Sequence, residues 1–247
     1  MHRVDFFLYR TLENMLEFIE TIKHQFYITF IYKDRYEIFI EGFGNTLLIA
    51  FTAVLIGVAI GSLVAIVRVY NRQSGKLKII NGICGAYLAI FRGTPVIVQL
   101  MIVYYIIFVS YGNALLAAII TFGFNSGAYV AEIIRAGILA VDIGQLEAGE
   151  SLGLPYKKTM RLIIMPQAIK NILPALGNEF VVLVKETSVA GYITVMDLAR
   201  AGDYSRSRTM EPFFSLIFTA IVYFLLVFGI SYLIKKLERR LRKSDRG

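Results

Sequence analysis

From residue 145 to residue 166 the chain reads QLEAGESLGLPYKKTMRLIIMP, a polar stretch set between long apolar ones. Within it Glu147, Ala148 and Gly149 are followed four residues later by Gly153, and then by Ile163, Met165 and Pro166. Residues 145–152 make one or two turns of helix with an acid near the N-terminal end, where the helix dipole favours negative charge. Gly153 suits the left-handed residue that ends a helix, and Pro155 suits the first turn of another. The spacing predicts a short helix held in water between two membrane segments, and with it an all-α membrane protein.

Working outward, the 247 residues are 57% hydrophobic, with a mean hydropathy of +0.63. A soluble domain does not have this composition. Five segments approach or exceed the roughly 20 apolar residues that cross a bilayer: 45–67, 80–109, 115–134, 172–195 and 213–234. They predict one compact transmembrane domain over residues 42–236, with the 145–166 loop inside it and a basic tail over 237–247. Residues 1–41 mix charged positions with Phe6, Phe7, Leu12, Met15, Leu16, Phe18 and Ile19 at roughly helical spacing, which predicts an amphipathic segment on the outer leaflet. No apolar core followed by a small-residue site occurs in residues 1–40, so no cleavable signal peptide is expected.

The formal net charge is +8, and its placement points to a bilayer, not to nucleic acid. Arg68, Arg72, Lys76 and Lys78 follow the first span, while Arg135, Lys157, Lys158, Arg161 and Lys170 follow the third. The tail adds Lys235, Lys236, Arg239, Arg240, Arg242, Lys243 and Arg246, and the hairpin over 110–114 has no basic residue. The excess of positive charge on one side predicts an outer N-terminus and a cytoplasmic C-terminus. Arg200, Arg206 and Arg208 in the last outer loop run against that pattern. Cys84 has no partner for a disulfide, and His2 and His24 lie far from any carboxylate cluster, so neither metal nor cofactor is expected. Cys84 reads as a small packing residue.

Polar residues inside apolar spans are costly, and they either pair or face a watery cavity. Arg92, Gly93, Thr94 and Pro95 interrupt the second span, where Gly93 and Pro95 break the helix and free backbone groups. Asn178 and Glu179 lie in the fourth span, with Lys185, Glu186, Thr187 and Ser188 further along it. Each has a structural reading beside the functional one. Arg92 either snorkels to the surface or lines a site, Lys185 and Glu186 either pair with neighbouring helices or meet a ligand, and Glu179 is either protonated or faces a cation. Broken helices with polar groups at mid-depth point to a translocation site. A phosphate-binding loop is excluded, because the sole Gly-Lys pair, Gly75-Lys76, has Tyr70 where the first glycine belongs. Gly57 and Gly61 in the first span have the spacing that permits close helix contact.

With these residues in view, the chain resembles the membrane (permease) subunit of a bacterial ABC importer, in the branch that takes up polar amino acids. The resemblance rests on the EAA loop, Glu-Ala-Ala-x3-Gly-x9-Ile-x-Leu-Pro, met here by Glu147, Ala148, Gly149, Gly153, Ile163, Met165 and Pro166. Gly149 replaces an alanine and Met165 a leucine. Further matches are residues 44–47 (GNTL), 91–95 (FRGTP) with Gln99, 126–135 (SGAYVAEIIR), Gly144-Gln145 and 185–188 (KETS). The resemblance implies a type I importer fold with five transmembrane helices and a cytoplasmic coupling helix. It implies a second permease subunit, alike or different, two ATPase subunits and an extracytoplasmic solute-binding protein, in the bacterial plasma membrane. ATP hydrolysis is then expected on the separate ATPase and not on this chain. Glu147, Ala148, Gly149, Leu152 and Gly153 are its expected ATPase-docking residues. Arg92, Thr94, Asn178, Glu179, Lys185 and Thr187 are the candidate substrate residues, with Glu179 favouring basic amino acids such as arginine, lysine or histidine. A secondary amino-acid transporter and a membrane scaffold without an ATPase are the competing readings.

Overall fold

A computed structural model describes the backbone of residues 2–243 and the side chains of residues 13–241. The helices in chain order are α1 His2–Phe26, α2 Tyr36–Ser74, α3 Lys78–Gly93, α4 Val96–Ile102 and α5 Ala114–Leu139. They continue as α6 Ile143–Ser151, α7 Tyr156–Thr159, α8 Met165–Glu186, α9 Leu198–Thr209 and α10 Pro212–Lys243. The all-helical expectation holds among the described residues.

Helix α2 has 39 residues, so it is about 58 Å long, more than a hydrocarbon core requires. It lies along α5 in the most extensive pairing of the fold. Small residues make that contact close. A Cβ on Gly57 would stand 2.7 Å from Ser126 Oγ and one on Gly61 2.7 Å from Val130 Cγ1, so the glycine spacing of the first span does bring two helices together. Around this pair Ile49, Ala50, Ala53, Leu100, Phe122, Leu183, Val184 and Ile193 form the main core. Cys84 is buried in a smaller cluster with Val64, Leu88, Ala128 and Ala131, as a packing residue would be.

The expected count of five spans is not reproduced. Among the described residues three helices, α2, α5 and α10, are long and apolar enough to cross a membrane, and a bent pair adds up to one more. That pair is the expected second span: α3 and the segment Val96–Ile107 meet at 107°. The expected fourth span, 172–195, falls short for a different reason. Residues 172–186 belong to α8, whose apolar run is interrupted by Asn178, Glu179 and Lys185, and the chain then tightens into 3-10 turns over Thr187–Ile193. The boundaries at 41/42 and 236/237 also fall inside continuous helices, since α2 begins at Tyr36 and α10 runs on to Lys243.

The loop between the last two spans is folded, not loose. Asp197 caps α9 by accepting from Ala199 N at 2.9 Å and Arg200 N at 3.3 Å. From α2, Thr46 Oγ1 accepts from Leu198 N at 3.1 Å and Asn45 Nδ2 donates to Met196 O at 2.8 Å, which clamps the loop to the start of the first span. Helix α1 meets the body at its C-terminal end, where Gln25 Nε2 donates to Glu211 Oε2 at 3.0 Å and Phe26 packs edge-on to Phe214. Its Met15, Leu16, Phe18 and Ile19 are exposed, whereas the side chains of Phe6, Phe7 and Leu12 lie outside the described residues.

Candidate functional site

Pro95 dictates where the second span breaks. Its ring pushes Thr94 out of the helical region, to φ −121° and ψ 146°, and the helix ends at Gly93. Three carbonyls around the break, those of Ile90, Phe91 and Thr94, are already engaged. Gln99 Nε2 lies 3.0 Å from both Phe91 O and Thr94 O and 2.8 Å from Thr94 Oγ1. Asn125 Nδ2 donates to Phe91 O at 3.1 Å and to Gln99 Oε1 at 3.0 Å, while Thr94 Oγ1 donates to Ile90 O at 2.8 Å. Two amides seal this part of the break, so Phe91 O and Thr94 O are not among the backbone groups expected to be free to bind something.

Arg92, one residue before the break, neither snorkels alone nor stands unpaired. Its Nη1 is 3.9 Å from Glu132 Oε2, and its guanidinium lies over the Tyr129 ring at 5.7 Å. Glu132 also accepts from Arg135, with Nε at 2.9 Å. The result is a partly exposed Arg–Glu–Arg chain between α3 and α5.

Glu179 has a partner that no sequence-local search finds. Ser126 Oγ, from α5, donates to its Oε1 at 2.9 Å, and the glutamate is 9% exposed. Asn178 beside it is exposed. Lys185 and Thr187 sit at the end of α8, not at its middle: Lys185 is exposed, while Thr187 is buried and donates to Val184 O at 2.8 Å. The six candidate residues therefore fall into three places, the break (Arg92, Thr94), the middle of α8 (Asn178, Glu179) and its end (Lys185, Thr187).

Helix α5 joins the first two. Within it Asn125 and Glu132 reach the broken span, Ser126 reaches Glu179, and Tyr129 underlies Arg92. This polar seam is a candidate functional feature that intramembrane charge alone does not reveal. The signal was present, because Asn125, Ser126 and Glu132 all stand inside the 115–134 span.

The 145–166 stretch folds as a helical hairpin. Asp142 Oδ1 accepts from Gly144 N at 2.8 Å and starts α6 two residues earlier than expected. Gly153 adopts φ +78°, its N–H donates to Glu150 O at 2.9 Å, and Leu154 N donates to Gly149 O at 3.0 Å. These are the paired bonds of a glycine-capped helix end. Pro155 then precedes α7 directly. Glu147, Ala148 and Leu152 are exposed, Leu152 at 79%, so one hairpin presents both an acid and a large apolar side chain on its surface. Gly149 is different from its neighbours. It is buried, and a Cβ there would lie 2.4 Å from Thr159 Cγ2. It packs the hairpin together and does not form part of the exposed surface.

Residues 57–243 match the family model described as the binding-protein-dependent transport system inner membrane component. A putative glutamine transport system permease protein, GlnP, of Rickettsia typhi is 41% identical over 206 residues, covering 82% of this chain and 92% of the relative. The arginine transport system permease protein ArtQ of Bacillus subtilis is 36% identical over 209 residues, covering 83% and 93%. Among solved structures, an amino acid ABC transporter with histidines matches with a TM-score of 0.76 and 43% identity, over 83% of this chain and 94% of the other. The inward-facing MetNI methionine ABC transporter matches at a TM-score of 0.71 and 20% identity, a likeness of fold alone. The chain therefore belongs to the binding-protein-dependent transport system inner membrane components, and within them to the permeases of amino-acid ABC importers.

Proposed function

We propose that this permease imports polar amino acids by alternating access, driven by a separate ATPase subunit docked on α6 and supplied by an extracytoplasmic solute-binding protein. A second permease subunit completes the pathway. The exposed Glu147, Ala148 and Leu152 are the docking surface, and Gly149 and Gly153 set the shape of the hairpin that carries them. Arginine, lysine or histidine is the preferred cargo. The observation that carries this preference is Glu179, a carboxylate buried in the apolar layer whose only hydrogen-bond partner among the described residues is a serine hydroxyl. A carboxylate so placed attracts a cation and disfavours an anion.

Glutamine is the second reading. It is favoured by the names of several Rickettsia relatives at 40–42% identity and by the Ser126 bond, which satisfies Glu179 without any cation. Uptake of labelled arginine and glutamine by cells carrying Glu179→Gln separates the two. Losing a charge-assisted contact reduces arginine uptake about tenfold or more and leaves glutamine uptake within about twofold. Equal loss for both, or none, removes the basic preference.

A further inference from the structure

Behind α6 lies a cavity of about 690 Å³ that meets the polar seam only through Arg135, the partner of Glu132. Arg68 and Arg72, from the last turns of α2, line it together with Arg135 of α5 and Asn81 of α3. Ile143 and Leu146 of α6 form an apolar part of its wall. Arg68 and Arg72 make no hydrogen bond or ion pair among the described residues. Arg135 spends Nε and Nη2 on Glu132 and keeps Nη1. The one carboxylate on the wall, Asp142, has an oxygen engaged in capping α6. Three guanidiniums line one space, with Asp142 on its wall and Glu132 beside Arg135 as the acids. Arg68 and Arg72 are left without an acceptor among the described residues, and an anion that presents several acceptor oxygens satisfies them, since guanidinium forks match phosphate in that respect.

We propose that this cavity is a binding site for a phosphate-bearing anion, which braces the docking helix α6 against the ends of α2 and α5. The apolar walls and the position at the basic edge of the spans fit the headgroup of an anionic phospholipid, with free phosphate as the other source of the same chemistry. Anion binding does not depend on α6 being an ATPase-docking helix; only its effect on coupling does.

The test is therefore a binding measurement on the permease alone. The protein is purified from nanodiscs of phosphatidylcholine with phosphatidylglycerol, and the retained lipid is counted by native mass spectrometry. The wild type retains phosphatidylglycerol in preference, and R68Q/R72Q lowers that preference about 30-fold. Should that variant not accumulate, Asn81→Leu, which keeps every positive charge, lowers it about fivefold. Inorganic phosphate added to phosphatidylcholine discs separates the sources: thermal stabilisation that depends on Arg68 and Arg72 assigns the site to free phosphate, and lipid retention without it assigns the site to the headgroup. A wild type with neither lipid preference nor phosphate stabilisation, or variants that keep both, overturns the proposal. ATPase coupling, followed in parallel with the intact importer, reports separately on docking.

Discussion

A methyl group on Gly149 would overlap Thr159 Cγ2 at 2.4 Å, and Thr159 is fully buried with a χ1 that β-branching holds in place. Two effects then compete in Gly149→Ala. Alanine favours a helix by about 1 kcal/mol over glycine, whereas overpacking a tight contact costs about 1–3 kcal/mol, and the overlap wins. Gly149→Ala is expected to lower the melting temperature of the purified subunit, and Thr159→Ala in the same chain to restore it, with a coupling of about 1 kcal/mol or more between the sites. Additive effects of the two substitutions would refute the contact. Gly149 also shows what the sequence hides at this scale. The motif position was legible, and so was the departure from alanine, but the reading that follows from propensity alone is a looser helix. The compensation comes from a residue ten positions away across the turn, whose proximity only the folded hairpin reveals. The same limit applies to Glu179, which reads as isolated at i±3 and i±4 and is bonded to Ser126, 53 residues away.

At the scale of elements, two punctuation marks decide the geometry. Gly93 and Pro95 made the break in the second span legible, but not its 107° bend or what occupies it, because one of its two sealing amides comes from α5. Gln99→Leu removes the amide that meets both Phe91 O and Thr94 O. Asn125 still reaches Phe91 O, so Thr94 O is the group left bare, at a cost of about 1–3 kcal/mol. Lower thermal stability with reduced uptake is the expected outcome, and unchanged melting of Gln99→Leu would show that the break is held by other means. Gly153 is the second mark. Its φ of +78° lies far from the −65° that proline imposes, and its N–H is used by Glu150 O. Gly153→Pro therefore reshapes the hairpin without touching the apolar spans. The variant should reach the membrane in normal amount while ATP hydrolysis in proteoliposomes no longer responds to substrate; normal responsiveness removes the coupling role of the α6 hairpin.

At the scale of the molecule, charge decides which way the bundle faces. The apolar segments were legible, but length and composition leave the number of spans open, since polar residues interrupt the apolar run of α8 and the second span is broken at a 107° bend. An odd number of crossings places the termini on opposite sides and an even number on the same side, so orientation rests on the basic residues near α6 and on the uncharged hairpin at residues 110–114. Arg200, Arg206 and Arg208 oppose that assignment by count alone. The fold explains part of their tolerance: Arg206 pairs with Asp203 at 2.6 Å, and Arg200 Nη1 donates to Gly191 O at 2.8 Å. Tyr111 and Leu152 are each 79% exposed and lie on opposite sides if the positive-inside rule holds, and Cys84 is the only native thiol. In a Cys84→Ser background, a membrane-impermeant maleimide applied to intact cells whose outer envelope is opened should label Tyr111→Cys and spare Leu152→Cys. After the membrane is broken both should react. Labelling of Leu152→Cys from outside would invert the molecule and place α6 where no cytoplasmic ATPase can reach it.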